Sequence, residues 1–209
     1  MYDNYFGFSA PPFQLTPDSR FFFDSVGHSR AISHLLYGLA QEEGFIVITG
    51  EVGAGKTTLV EQLWSRLDQT SFAMARVVTT LVSGEDLLRL AVAGIGAAEP
   101  PVDKAGLLRC FEAAVREHRA AGRRCLLVID EAQNLTVAAL EELRMLSNLT
   151  VDGRASLQTI LLGQPQFRTM LGTDDLDQLR QRVLASYHLG PLTEAETRAY
   201  IEHRLRTAG

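Results

Sequence analysis

The stretch Gly50-Glu-Val-Gly-Ala-Gly55-Lys56-Thr57 constrains this chain more than any other, because it matches G-x-x-x-x-G-K-S/T in the right surroundings. Before it runs Phe45-Ile-Val-Ile-Thr49, an apolar segment that reads as a buried strand. After it, Thr58 to Leu67 has helical periodicity. Strand, glycine loop and helix in that order make a phosphate site. Glycines let backbone N–H groups turn inward around phosphate oxygens, and the helix N-terminus adds partial positive charge. Gly50, Glu51, Val52, Gly53, Ala54, Gly55, Lys56, Thr57 and Thr58 are therefore the candidate nucleotide-binding residues. In such loops the lysine reaches the β- and γ-phosphates, and the hydroxyl after it ligates Mg²⁺. Lys56 and Thr57 occupy those positions, which predicts a nucleoside triphosphate as the ligand and Mg²⁺ as its cation.

Cys125-Leu-Leu-Val-Ile-Asp130-Glu131 reads as a central strand ending in two carboxylates. Asp130 fits the Walker B acid that holds Mg²⁺. Glu131 fits the base that polarises an attacking water. A carboxylate can take a proton from water only within hydrogen-bond reach. Neighbouring strand residues point to opposite faces, so the strand must end here for both acids to serve one site. The pair lies about 75 residues after the glycine loop, which leaves room for another strand between them. That spacing predicts P-loop chemistry of the additional-strand type.

An apolar fraction of 46% against 22% charged residues, over 209 residues, suits a soluble globular domain with a substantial core. The net charge of −5 gives no global argument for nucleic acid as a partner, although a local basic patch is compatible with it. Cys110 and Cys125 lack metal-ligand spacing, and two thiols make no disulfide framework. A reduced, buried Cys125 and a cytoplasmic location are expected. The N-terminus shows no basic region followed by an apolar core, and no run reaches the length needed to cross a bilayer. Membrane insertion by this chain itself is therefore not expected. Any association with the inner face of the inner membrane would come through other regions or partners.

Strand candidates lie at 45–49, 72–78, 123–129, 156–162 and 186–189, and helix candidates at 24–40, 58–67, 84–95, 104–120, 136–149 and 176–184. Thr136 is positioned as an N-cap. Strands alternating with helices predict an α/β fold, a five-stranded parallel sheet covered on both faces. Residues 1–24 are rich in aromatics and proline, too apolar for a disordered tail, and are expected to wrap the core with their rings buried. The nucleotide-binding core is expected over 25–191. Thr193-Glu-Ala-Glu196 is a capping-box pattern opening a last helix, read as the incomplete start of a small helical domain over 192–209. The alternative is a C-terminal helix packed back on the sheet.

Gln164 ends a strand that should lie beside the glycine-loop strand, where it could contact the γ-phosphate or orient water. Arg180 and Arg182 form a helical arginine pair. Such a pair is ordinarily solvated, but in an oligomeric ATPase one of them could act on a neighbour's ATP. Thr79 and Thr80, after the second strand, are weaker candidates to restrain Glu131.

Several quoted segments together resemble one family. They are Tyr5-Phe-Gly-Phe8, Leu15-Thr-Pro-Asp18, His34-Leu-Leu-Tyr-Gly38, Thr49 to Thr57, Asp130-Glu-Ala-Gln-Asn134, Glu141 to Leu149, Leu162-Gly-Gln-Pro165, Leu179-Arg-Gln-Arg182 and Tyr187 to Leu192. In this order they resemble the general secretion pathway protein A family of AAA+ ATPases, over nearly the whole chain. Related ATPases serve exosortase-associated exopolysaccharide loci, pilus biogenesis and transposition. The resemblance implies an AAA+ core that oligomerises around ATP, as a ring of identical chains. It places Gln164 at sensor 1, Arg182 as the trans-acting finger and Arg180 as its alternate. It implies a helical lid that this sequence begins after Thr193 without reaching the second sensor arginine. The implied function is ATP hydrolysis that drives assembly or remodelling of an envelope secretion, export or pilus machine. Alternatives are an ATP-dependent oligomerisation switch without hydrolysis, and a DNA-bound transposition accessory.

Overall fold

The computed structural model describes residues 5–14, 18–78, 82–96, 103–155 and 157–209. The elements are α1 (Val26–Ala40), β1 (Phe45–Gly50), α2 (Lys56–Arg66), β2 (Phe72–Val78), α3 (Gly84–Gly94), α4 (Lys104–Ala120), β3 (Arg124–Asp130) and α5 (Val137–Asn148). They continue with β4 (Thr150–Val151), β5 (Arg154–Ala155), β6 (Gln158–Gly163), α6 (Pro165–Leu171), α7 (Asp177–Arg180), β7 (Val183–Leu189) and α8 (Glu194–Ala208). The main sheet has the order β2-β3-β6-β1-β7, and every neighbouring pair is parallel.

Alternation along the strands divides the core in two. Phe45 and Val47 of β1 join Leu127, Ile129 and Leu161 in a core closed by α3, α4, α5 and α6. Ile46 and Ile48 point the other way, with Leu126, Val128, Ile160 and Leu162, beneath α1 and α2. A parallel sheet covered on both faces requires such near-continuous apolar strands. The expected five-stranded α/β sheet is the one observed. Thr136 does cap α5, accepting from the Ala139 N–H.

The region from Gln164 to Leu189 departs from expectation. Pro165 opens α6, because its missing N–H has no helical partner to lose in the first turn. The helix expected over 176–184 shrinks to a 3₁₀ turn, Asp174–Leu176, and the short α7. Val183 and Leu184 belong instead to β7, where Val183 is in register with Phe45. Sheet pairing wins there: the Phe45 N–H donates to the Arg182 carbonyl at 2.9 Å. The antiparallel β4–β5 hairpin is also additional to the expected elements. Its turn, Asp152-Gly153, holds both residues at positive φ, as a two-residue hairpin turn demands.

The capping box opening α8 is present. Thr193 Oγ1 accepts from the Glu196 N–H at 3.2 Å, and Glu196 accepts from the Thr193 N–H at 3.0 Å. The Glu196 carboxylate also accepts from the Val26 N–H, tying α8 to the start of α1. The helix packs on the N-terminal segment, with Arg204 stacked 4.9 Å from the centre of the Phe21 ring. Phe21 is buried, whereas Tyr5, Phe6 and Phe13 are exposed.

Leu161 is fully buried at the centre of the sheet. Replacing it with alanine is expected to cost about 2–5 kcal/mol, read from urea unfolding followed by circular dichroism.

Candidate functional site

Parallel strands carry the C-terminal ends of β1, β3 and β6 to one edge of the sheet, and the site is built there. β1 ends at Gly50, where a Cβ would stand 2.6 Å from the Leu189 carbonyl of β7. Gly55 has a φ of +89°, in the left-handed region that favours glycine. It also admits the His28 ring, since a Cβ there would meet Nε2 at 2.7 Å. The turn feeds into α2 with no side chain capping the helix. Its first N–H groups lack intrahelical partners, and the helix end carries partial positive charge, so the loop suits an anion. Lys56 is buried, and its Nζ donates to the carbonyls of Gly50 and Glu51 at 2.8 and 2.9 Å. The ammonium thus holds the loop closed on itself.

Asp130 follows Leu126 and Val128 in the alternation of β3, which turns it toward α2. Thr57 Oγ1 donates to Asp130 Oδ2 at 2.7 Å. Glu131 then takes a φ of +55°, uncommon for a residue with a side chain. This left-handed step ends the strand and breaks the alternation that would separate the two acids. The Glu131 N–H donates to Asp130 Oδ1 at 3.0 Å. Glu131 Oε2 accepts from Gln133 Nε2 at 2.5 Å and from Gln164 Nε2 at 3.1 Å. The Gln133 hydrogen bond, then that from Gln164 and the Lys56 charge, hold the carboxyl below its ordinary range against the opposing pull of burial.

Gln164 therefore lies at the end of β6, beside β1, and meets Glu131. Arg180 and Arg182 do not join this group. They precede the N-terminal end of β7, at the sheet edge opposite the loop. Arg180 pairs with Asp177, and Arg182 reaches the Ser147 hydroxyl at 3.5 Å. Thr79 and Thr80 lie outside the described residues.

Three further residues belong to the site that sequence pattern did not single out. Arg76 of β2 stands 3.5 Å from both Asp130 Oδ2 and Glu61 Oε1. A single charge inside the apolar run Phe72–Val78 was its signal. His28 packs under the loop, with Nδ1 2.8 Å from the Ser25 hydroxyl. Burial pushes its pKa down, against weaker upward pulls that begin with a backbone hydrogen bond at Ala54. Gln133 falls within the segment Asp130-Glu-Ala-Gln-Asn134, but nothing in that run gives it a role of its own.

A cavity of about 700 Å³ opens over the loop. Its lining includes the glycine loop and Glu131 together with Phe22, Phe23, Pro191 and Tyr200. A lining that combines loop amides with apolar rings suits a ligand with a charged tail and a flat base.

Residues 39–171 match the family model described as AAA domain. The chain belongs to the AAA domain family. Along its whole length it is 41% identical to General secretion pathway protein A of Aeromonas hydrophila, and it spans 38% of that relative. Cdc6p from Pyrobaculum aerophilum superposes with a TM-score of 0.73 at 17% identity, over 91% of this chain and 54% of that one. The ADP form of the Aeropyrum pernix ORC2 protein gives 0.67 at 18% identity, over 91% and 56%. At these identities the structural likeness speaks for the fold alone, a P-loop α/β core. AAA domains are typically ATPases.

Among the described residues of this AAA domain, no group of three or more His, Cys, Asp or Glu could hold a metal. Mg²⁺ asks for less, one or two protein oxygens together with substrate phosphates and water. The Thr57 hydroxyl and Asp130 carboxylate, in contact at the start of α2, fit that need. Among the described residues, no helix is long and apolar enough to cross a membrane.

Gly55→Ala would force a side chain into a left-handed position and against His28. If the loop holds a nucleotide, this change is expected to weaken its binding at least about tenfold, measured by titration with a fluorescent nucleotide analogue. The Cys125 thiol is raised to about 11 by burial. It should resist iodoacetamide at about pH 8 in the native protein while the half-buried Cys110 is modified, as read by peptide mass spectrometry.

Proposed function

We propose that this AAA domain binds ATP with Mg²⁺ and hydrolyses it. We further propose that hydrolysis drives assembly or remodelling of a cell-envelope secretion, exopolysaccharide-export or pilus machine. The observation that carries the chemistry is Glu131, a carboxylate facing the same cavity as the glycine loop. In this reading the loop N–H groups and Lys56 neutralise the triphosphate. Water attacks the γ-phosphorus in line, Glu131 takes its proton, and the bond to the bridging oxygen breaks to release ADP. Gln164 orients that water or contacts the γ-phosphate. Thr57 and Asp130 would hold Mg²⁺, which would supply positive charge against the charge of the phosphates. Positioning and electrostatics supply most of such catalysis.

The envelope role rests on likeness to General secretion pathway protein A, of which this chain spans 38%. Assembly of identical chains into a ring is supported by the two arginines. Arg182, with Arg180 as alternate, lies away from its own loop, where it could serve the nucleotide of an adjoining copy. The same reading takes residues 1–24 as a wrap around the core, 25–191 as the AAA+ core, and α8 as the first helix of a lid. It places the protein in the cytoplasm, at the inner face of the inner membrane through other regions or partners.

Glu131→Gln is expected to keep ATP binding and to lower turnover by about 10²–10⁴-fold, the range for a lost general base. Phosphate release and analogue titration measure the two separately. Undiminished turnover would remove Glu131 from the mechanism. Arg182→Ala in the full-length protein is expected to lower turnover by about 10³-fold or more. Mixing it with Glu131→Gln should restore part of the activity, because an intact base and an intact arginine then meet at some interfaces. No recovery in the mixture would count against action in trans.

A further inference from the structure

We propose that Gln133 is a positioning residue that locks the base Glu131 to Gln164, and this rests on the ATPase reading above. Gln133 lies in the 3₁₀ turn Ala132–Asn134, directly after Glu131. Its carboxamide is used at both ends. Nε2 donates to Glu131 Oε2 at 2.5 Å, and Oε1 accepts from the Gln164 N–H at 2.9 Å. Only one orientation of the amide satisfies both partners, since one end must donate and the other accept. Gln164 Nε2 closes the triangle on the same Glu131 oxygen at 3.1 Å.

The clamp joins the C-terminal ends of two parallel neighbours, β3 and β6. It acts on a residue that needs holding. Glu131 sits at a φ of +55°, a conformation that persists only when its surroundings impose it. Its side chain is long and rotatable, and catalysis by a base depends on keeping the carboxylate aligned with its water. Gln133 does this through Glu131 and Gln164. If the Gln164 amide is drawn toward a γ-phosphate, Gln133 still holds the carboxylate and the Gln164 backbone. The base then stays in place while the second amide changes partner.

Gln133→Met tests this in the full-length protein, because it removes both hydrogen bonds at nearly constant volume. The expected result is a turnover number lower by about 10–100-fold with the KM for ATP within about twofold, the pattern of a lost alignment rather than lost binding. Gln133→Glu keeps the acceptor for Gln164 but sets a second carboxylate against Glu131, and it should be no better. In a Glu131→Gln background, Gln133→Met should cause little further loss, since a positioning residue has nothing left to align. Unchanged turnover in folded Gln133→Met overturns the proposal, and so does a fully additive loss in the double variant. Amide exchange at Gln164 gives a readout independent of turnover. It should accelerate in the Gln133→Met variant, because a thioether offers the Gln164 N–H no carbonyl oxygen. Absent turnover in the unaltered protein would defeat the ATPase reading, and unchanged Gln164 exchange would defeat the clamp itself.

Discussion

Thr57 and Asp130 are 73 positions apart in the chain, yet a hydroxyl and a carboxylate meet at 2.7 Å. That contact depends on strand direction. β1 and β3 are separated in the sheet by β6, and all three run parallel. Their C-terminal ends therefore share an edge, and the loop after β1 faces the acids ending β3. Reversing either strand would carry one partner the full strand length away, about 20 Å for six residues. The apolar alternation that buries both faces is what keeps this arrangement in register.

Two local features adapt that edge to charged groups. The buried Lys56 ammonium is satisfied by carbonyls of its own loop, which closes the loop and avoids an unpaired buried cation. The left-handed Glu131 turns the chain out of the strand just where alternation would have sent the second acid to the wrong face. Its cost is offset by hydrogen bonds from the neighbouring strand end and from the turn that follows. His28 and Arg76 complete the surroundings, one beneath Gly55 and the other beside Asp130.

Much of this was legible because it depends on short-range pattern. The run 45–49, the glycine loop and the helix after it announce themselves by residue type, as do the apolar run ending in Asp130 and the capping box at Thr193. The stretch after Gln164 was not legible. Val183 and Leu184 suit a helix or a strand equally by apolarity, and pairing with β1 decides for the strand. Pro165 marks a break in one reading and a helix start in the other, and only the following packing of Phe167 separates them. Gln133 could not be singled out, since its role comes from a partner 31 positions away.

By itself the sequence determined the alternating α/β architecture, the glycine loop between strand and helix, and the two acids, because backbone torsions and side-chain chemistry act within a few residues. The tertiary structure decided which of the remaining polar groups converge. It brought Gln164 and Gln133 onto Glu131, set Arg76 beside Asp130, and left Arg180 and Arg182 at the far edge. Those outcomes follow from strand order and direction, which are properties of the whole core and are written in no single segment.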